Sequence, residues 1–177
     1  MLLAASASSP SSVADELSAS VSTPALGLAV AIPVAAPRPI TTGLGLVYVI
    51  ENDYISSVIT ELIVKKNLFG NEVRCYANGQ WAFDEITLTL RQGGTLPDLI
   101  LLDLDMPLMD GWEFLDALAN VPSAQTIRVF VQTSSIQSED QAKALNYKQV
   151  AGFFSKPLKD DGVACMLALL QQARKAE

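Results

Sequence analysis

The chain contains no histidine. That absence removes imidazole metal ligands, Ser–His and Cys–His nucleophile pairs, and any phosphohistidine formed by these residues themselves. Cysteine is nearly absent too. Cys75 and Cys165 stand far apart and fit no metal-binding spacing. Each falls in an apolar stretch, so both read as reduced core residues, which suits the cytoplasm. Basic residues are scarce: 12 Lys and Arg face 19 Asp and Glu, for a net charge of −7 and a pI near 4.5. No basic cluster interrupts that balance, so nucleic acid is not an expected partner. Long apolar runs are missing as well. A membrane span needs about 20 apolar residues. The stretch from Ala25 to Ala36 is shorter, and Pro33 interrupts it, so no membrane partner is expected.

What is present is enough for one domain with a proper core and some excess: 177 residues, half of them hydrophobic. The excess lies at the amino end. Residues 1–43 are Ala, Ser, Pro and Val with little charge, and they lack the basic start of a secretory signal. They read as a disordered extension or a misassigned start, leaving residues 44–177 as the folded domain.

From Leu44 the pattern alternates. Leu46–Ile50 reads as a strand that ends in Glu51-Asn52-Asp53. Ile55, Val58, Ile59, Leu62 and Ile63 recur at helical spacing, and Phe69-Gly70-Asn71 breaks that helix. Val73–Tyr76 is a second strand, and Trp81–Leu90 a second helix closed by Gly93-Gly94. Leu99–Leu102 is a continuous apolar run, the signature of a parallel strand covered on both faces, and it emerges at Asp103. A turn at Met106-Pro107 and Asp110-Gly111 leads into a helix lined by Trp112, Phe114, Leu115 and Leu118. Ile127–Val131 is a fourth strand, followed by Gln132-Thr133 and a helix start near Ser138, continued by Ala142, Ala144 and Leu145. Val150–Phe154 is a fifth strand ending in Ser155-Lys156-Pro157, and a last helix runs from about Lys159 to Arg174.

Five βα units in strict alternation predict an α/β fold: a five-stranded parallel sheet, doubly wound, (βα)5. Right-handed crossovers aim every strand's carboxyl end the same way. Glu51-Asn52-Asp53, Asp103, Thr133 and Lys156 therefore share one sheet edge. Carboxylates clustered without histidine or thiolate suit a hard cation, magnesium above all. Lys156 and Thr133 supply the ammonium and hydroxyl that a phosphoryl group needs, and Asp103 reads as a nucleophile that forms an aspartyl phosphate. Taken singly, each residue also has a plainer reading. Glu51-Asn52-Asp53 also reads as a cap for the first helix, Asp105 or Asp110 as a cap for the third, Thr133 as a turn residue and Lys156 as a solvated loop lysine.

At this point the chain resembles the receiver domain of two-component response regulators, in particular single-domain ones, through LLDLDMPLMDGWEF and GFFSKP. The resemblance covers residues 46 to about 175. Thr133 follows Asp103 by 30 residues and Lys156 follows Thr133 by 23, intervals of the family's size. It implies a flavodoxin-like fold in which Asp103 accepts the phosphoryl group. Mg2+ would be held by Glu51, Asn52, Asp103 and the backbone carbonyl of Asp105. Thr133 would be the switch hydroxyl, Lys156 the phosphate-contacting ammonium, and Phe153 the switch aromatic. The Lys156–Pro157 bond would be cis. A histidine kinase or histidine phosphotransfer protein would supply the phosphoryl group. A downstream protein would read the face formed by the fourth helix, fifth strand and fifth helix, since no output domain follows. The protein would be cytoplasmic, and a phosphoacceptor rather than an enzyme, with self-dephosphorylation as a possible activity. One position departs from the family: Asn52 stands where a second acid is usual, which should weaken metal binding and slow phosphorylation. Two other readings stay open. One is a degenerate receiver that binds partners without being phosphorylated. The other is a haloacid-dehalogenase-like phosphatase, suggested by Asp103-Leu104-Asp105 with Thr133, Lys156 and Asp160-Asp161.

Overall fold

The structure is a computed structural model, and it describes residues 45–67, 72–134, 138–144 and 146–175. The expected extension over residues 1–43, the helix break at 69–71 and the helical position of Leu145 lie outside the described residues. The elements alternate as β1 (Leu46–Ile50), α1 (Tyr54–Asn67), β2 (Glu72–Tyr76), α2 (Gly79–Arg91), β3 (Leu99–Asp103), α3 (Gly111–Ala119), β4 (Arg128–Thr133), α4 (Ser138–Ala144), β5 (Val150–Ser155) and α5 (Asp160–Lys175). A 3-10 turn, Pro122–Ala124, joins α3 to β4. All strand pairs are parallel, in the order β2-β1-β3-β4-β5. The fold is the flavodoxin-like doubly wound sheet that the alternation predicts.

The three central strands β1, β3 and β4 are buried along their whole lengths. Their side chains alternate between two cores. Tyr48, Ile50, Ile100, Leu102, Val131 and Phe153 face one side, where Ile86 of α2, Phe114, Leu115 and Leu118 of α3 and Ala144 of α4 cover them. Val47, Val49, Leu99, Leu101, Phe130 and Phe154 face the other, under Val64 of α1 and Val163, Met166 and Leu170 of α5. Burying a side chain of this size contributes about 1.5–3 kcal/mol. A strand flanked by two such layers must be apolar on both sides, which is why LVYVI and LILL show no polar alternation.

Three local details depart from the sequence expectation. β4 runs on through Gln132 and Thr133, because those residues still pair with Asp103 and Ser155 on the neighbouring strands. Cys75 is exposed rather than in the core, since β2 is an edge strand; Cys165 is partly buried, and both are free thiols. On α1 the apolar set marks the helix without marking its inner side. Ser57, Thr60 and Val64 face inward, while Tyr54, Ile55 and Leu62 are 80%, 66% and 63% exposed.

Helix starts are set by side chains that take up free amides. Asn78 accepts from the Trp81 amide at 2.9 Å, starting α2 two residues ahead of the expected Trp81. Asp110 and Glu113 form a reciprocal capping box on α3. That box aims α3 straight at the end of β3. The Gly111 amide donates to the Leu104 carbonyl at 3.0 Å. A Cβ on Gly111 would lie 2.4 Å from the Asp103 carbonyl oxygen and 2.7 Å from the Leu104 Cα. Both are backbone atoms that cannot swing aside. Gly111→Ala should therefore lower the unfolding free energy by about 1–3 kcal/mol, the usual range for overpacking. Urea denaturation of the two proteins measures it, and a loss within error of zero would contradict this packing.

Candidate functional site

Parallel strands deliver their carboxyl ends to one edge, and ligands of open α/β sheets bind there, where the strand order reverses. In this sheet the reversal lies at β1, which is followed by β2 on one side and flanked by β3 on the other. Glu51 comes directly after β1, Asp103 closes β3, Thr133 closes β4, and Lys156 comes directly after β5.

The structure brings three of these side chains into contact. Lys156 Nζ lies 2.6 Å from Glu51 Oε2 and 2.6 Å from Asp103 Oδ2. Glu51 and Asp103 are only 3% and 4% exposed. Two carboxylates thus share one ammonium in a nearly dry setting, leaving one net negative charge. Burial pushes the Glu51 carboxyl above its ordinary value, against the opposing pull of Lys156 and of the Asp53 amide. Burial acts the other way on Lys156, but the Asp103 and Glu51 carboxylates overcome it and raise the ammonium above its ordinary value. The lysine is therefore a fixed positive charge rather than a solvated loop residue.

The flanking backbone holds the carboxylates still. The Asp53 amide donates to Glu51 Oε1 at 3.1 Å, and the Asp105 amide points at Asp103 Oδ1 at 3.3 Å. The Glu51 amide is tied to the Tyr76 carbonyl at 2.9 Å. Thr133 is buried, and its carbonyl accepts from the Lys156 amide at 3.0 Å, which joins the β4 and β5 ends of the site. The Lys156–Pro157 bond is cis. Phe153 is fully buried in the core that α3 and α4 cover.

Other expected residues stand apart. Asn52 and Asp105 are exposed beside the buried carboxylates. Asp53 is occupied as a helix cap: its Oδ1 accepts from the Ser56 amide at 2.7 Å, and that hydrogen bond holds its carboxyl below the ordinary range. Capping thus belongs to Asp53 and Asp110, while Glu51 and Asp105 take no such part. Asp160 and Asp161 open α5, and Asp160 pairs with Lys66 at 2.7 Å, away from Asp103's partners. Among the described residues, no three acidic or thiol side chains gather into a ready-made metal cluster. Two buried carboxylates with a surplus negative charge still fit magnesium, which keeps several waters and takes one or two protein carboxylates. The exposed apolar side of α1 is the surface feature least visible in the sequence. The small polar residues Ser57 and Thr60, spaced along the opposite side, are the signal that could have shown it.

This sheet is a doubly wound α/β domain with an acidic pocket and a paired lysine at its switch point. Residues 47–168 match the model of the response regulator receiver domain, and the chain belongs to that family. The probable methanogenesis regulatory protein FilR2 of Methanothrix harundinacea is 26% identical over 113 residues, 64% of this chain and 72% of that one. A two-component response regulator from Cytophaga hutchinsonii shares the fold with a TM-score of 0.66 and 25% identity, over 74% of this chain and 97% of its own. The bacteriophytochrome response regulator AtBRR gives a TM-score of 0.63 at 25% identity, over 72% of this chain and 93% of its own. Receiver domains of this family act in two-component signalling, where phosphorylation and Mg2+ are standard, and they interact with histidine kinases or phosphotransfer proteins. No helix among the described residues is long and apolar enough to cross a membrane.

Removing the shared ammonium should expose the cost of this arrangement. Lys156→Met leaves two buried carboxylates facing each other and should lose about 3 kcal/mol at neutral pH, as for other buried pairs broken on one side. A carboxyl whose folded value is raised binds more protons folded than unfolded. The deficit should therefore shrink as pH falls towards the ordinary glutamate value and be complete above the raised one. Denaturant midpoints across pH 4–8 (about four units of scan) measure this, and a pH-independent deficit would contradict it.

Proposed function

We propose that the chain is a phosphoacceptor response regulator, with Asp103 as the residue that takes the phosphoryl group. The observation that carries this reading is the Lys156 ammonium held 2.6 Å from a nearly buried Asp103 at the sheet's switch point. An Asp103 carboxylate oxygen attacks phosphorus in line. The P–O bond forms as the P–N bond of a phosphohistidine breaks, and the electron pair leaves with the imidazole, which takes up a proton. The chain has no histidine, so that imidazole belongs to the donor, a histidine kinase or histidine phosphotransfer protein.

Bound Mg2+ would neutralise charge on the phosphoryl oxygens, with Asp103, Glu51, Asn52 and the Asp105 carbonyl as its holders. Lys156 meets part of the charge that moves onto the group, and its bridge to Glu51 keeps the ammonium in place. Thr133 sits at the end of β4 to follow the new charge, and Phe153, on the strand that leads to Lys156, carries the change to the face of α4, β5 and α5. Downstream output is then contact with a protein at that face. Asn52 lends an oxygen without a charge, so the metal is held weakly.

The test is intact mass after incubation with Mg2+ and acetyl phosphate. One phosphoryl group should add to the wild type, and none to Asp103→Asn or to a sample without Mg2+. Asn52→Asp should bind Mg2+ about tenfold more tightly, one added carboxylate being worth roughly 1.4 kcal/mol at a half-solvated site. No adduct on wild type, with an adduct on Asn52→Asp, would favour the non-phosphorylated binding module instead.

The donor needs a landing surface next to Asp103. Tyr54 and Ile55, just beyond the Glu51 loop, and Leu62 further along α1 offer an exposed apolar stripe for it. Ile55→Asp should leave labelling by acetyl phosphate unchanged. It should slow transfer from any phosphohistidine protein that labels the wild type by about tenfold or more, as for a buried interface anchor. Equal slowing with both donors would show damage to the site rather than loss of a docking face.

A further inference from the structure

α4 is described over Ser138–Ala144, and α3 starts against the backbone of Asp103. Between them lies a polar and aromatic cluster that the phosphoacceptor chemistry does not use. Tyr147, in the loop between α4 and β5, donates its hydroxyl to Asp116 Oδ1 of α3 at 2.6 Å. Its ring lies 6.1 Å from that of Trp112, also on α3, at an interplanar angle of 33°. The Lys143 ammonium, in the last turn of α4, sits 4.1 Å from the centre of the Trp112 ring. So α3 grips both the end of α4 and the loop after it, through one hydrogen bond to a carboxylate, one ring contact and one cation over a ring.

The backbone makes this loop a stiff link. The Tyr147 amide bonds to the Ala144 carbonyl at 2.9 Å, and the Val150 amide to the Tyr147 carbonyl at 3.2 Å. Ala144, Tyr147, Val150 and Phe153 belong to one buried cluster. A displacement of Tyr147 is thereby felt on both α4 and β5. At its other end the cluster meets the site, because Trp112 is the second residue of α3 and Gly111 before it lies against the Asp103 carbonyl.

We propose that Trp112, Asp116, Lys143 and Tyr147 form a latch that holds α4 and the loop before β5 against α3 in the resting protein, and that phosphorylation of Asp103 releases it. The second half of this proposal rests on the phosphoacceptor reading above. The Tyr147 hydroxyl is well suited to the part. Burial, with the neighbouring Asp116 carboxylate, holds it up to about 12, so it remains a donor throughout the working pH range. The latch takes no part in bond making. It decides how readily the α4 face changes shape when the site is charged, so Tyr147 and Asp116 are positioning residues for the switch.

The test uses the full chain with Trp81→Phe, which leaves Trp112 as the sole tryptophan. Amide exchange over residues 138–144 and Trp112 emission are recorded with and without acetyl phosphate and Mg2+, and intact mass gives the phosphorylated fraction. Tyr147→Phe keeps the ring and removes the hydroxyl. In the resting state it should speed α4 exchange by about fivefold, the order expected from losing one hydrogen bond. It should also shrink the change in emission on phosphorylation while the phosphorylated fraction stays the same. Asp116→Ala, on the exposed side of α3, should do likewise and serves if the Tyr147 variant does not fold.

Unchanged resting exchange in a folded variant overturns the latch. So does a phosphorylated wild type whose Trp112 emission and α4 exchange match the resting state. An absence of mass gain overturns the phosphoacceptor reading, and with it the release step, while resting exchange still decides whether the latch holds α4.

Discussion

Two carboxylates and one ammonium in a nearly dry pocket are the constraint on which the rest of this molecule depends. Glu51 and Asp103 are held apart from water by the sheet, and Lys156 reaches both at 2.6 Å. Moving such charges out of water costs several kcal/mol per ion, and only close, well-supported pairing offsets it. The surrounding backbone supplies that support through the Asp53 and Asp105 amides and through the Thr133 carbonyl that anchors Lys156. The pocket keeps one surplus negative charge at rest, which favours a cation. Under the phosphoacceptor reading proposed above, a doubly charged phosphoryl group on Asp103 would raise that surplus from one negative charge to two, and the pocket would have to rearrange to meet it.

The fold serves this pocket by keeping its walls rigid. β1, β3 and β4 are apolar on both faces, and two separate cores clamp them. Their ends are therefore fixed in register, and residues distant in sequence meet at one edge. The same rigidity makes movement at the pocket costly to absorb locally. The contacts that open at least cost lie to one side: the polar and ring contacts by which Lys143 and Tyr147 meet α3. Change is expected to collect there, since exposed pairs and single hydrogen bonds open at far lower cost than a packed strand.

Family membership and site chemistry stand on different ground. The receiver match spans most of the described chain, and the fold agrees. The roles proposed for Glu51, Asn52, Asp103, Asp105, Thr133, Phe153 and Lys156 are argued from their positions and from the geometry around them. The exposed placement of Asn52 separates it from the paired, buried carboxylates.

Local pattern along the chain is enough to set the five strands, the shared direction of their ends, and hence the company that Asp103 keeps. Continuous apolar runs followed by polar residues leave few other solutions for LILLD or VAGFF. It also offered Asp110 as a helix cap, which acts on an amide only three residues away, while the Asn78 cap that starts α2 went unread. Tertiary structure alone decided what depends on partners far along the chain. That α1 turns Ser57 and Thr60 inward follows from what the sheet presents beneath it, including buried Gln132, which accepts from the Thr60 hydroxyl at 3.4 Å. Cys75 is exposed because β2 ends the sheet, and Tyr147 meets Asp116 because α3 and α4 share a face. Spacing along a chain fixes local periodicity; which side of a helix is buried, and which charge finds which, is set only when separate elements pack together.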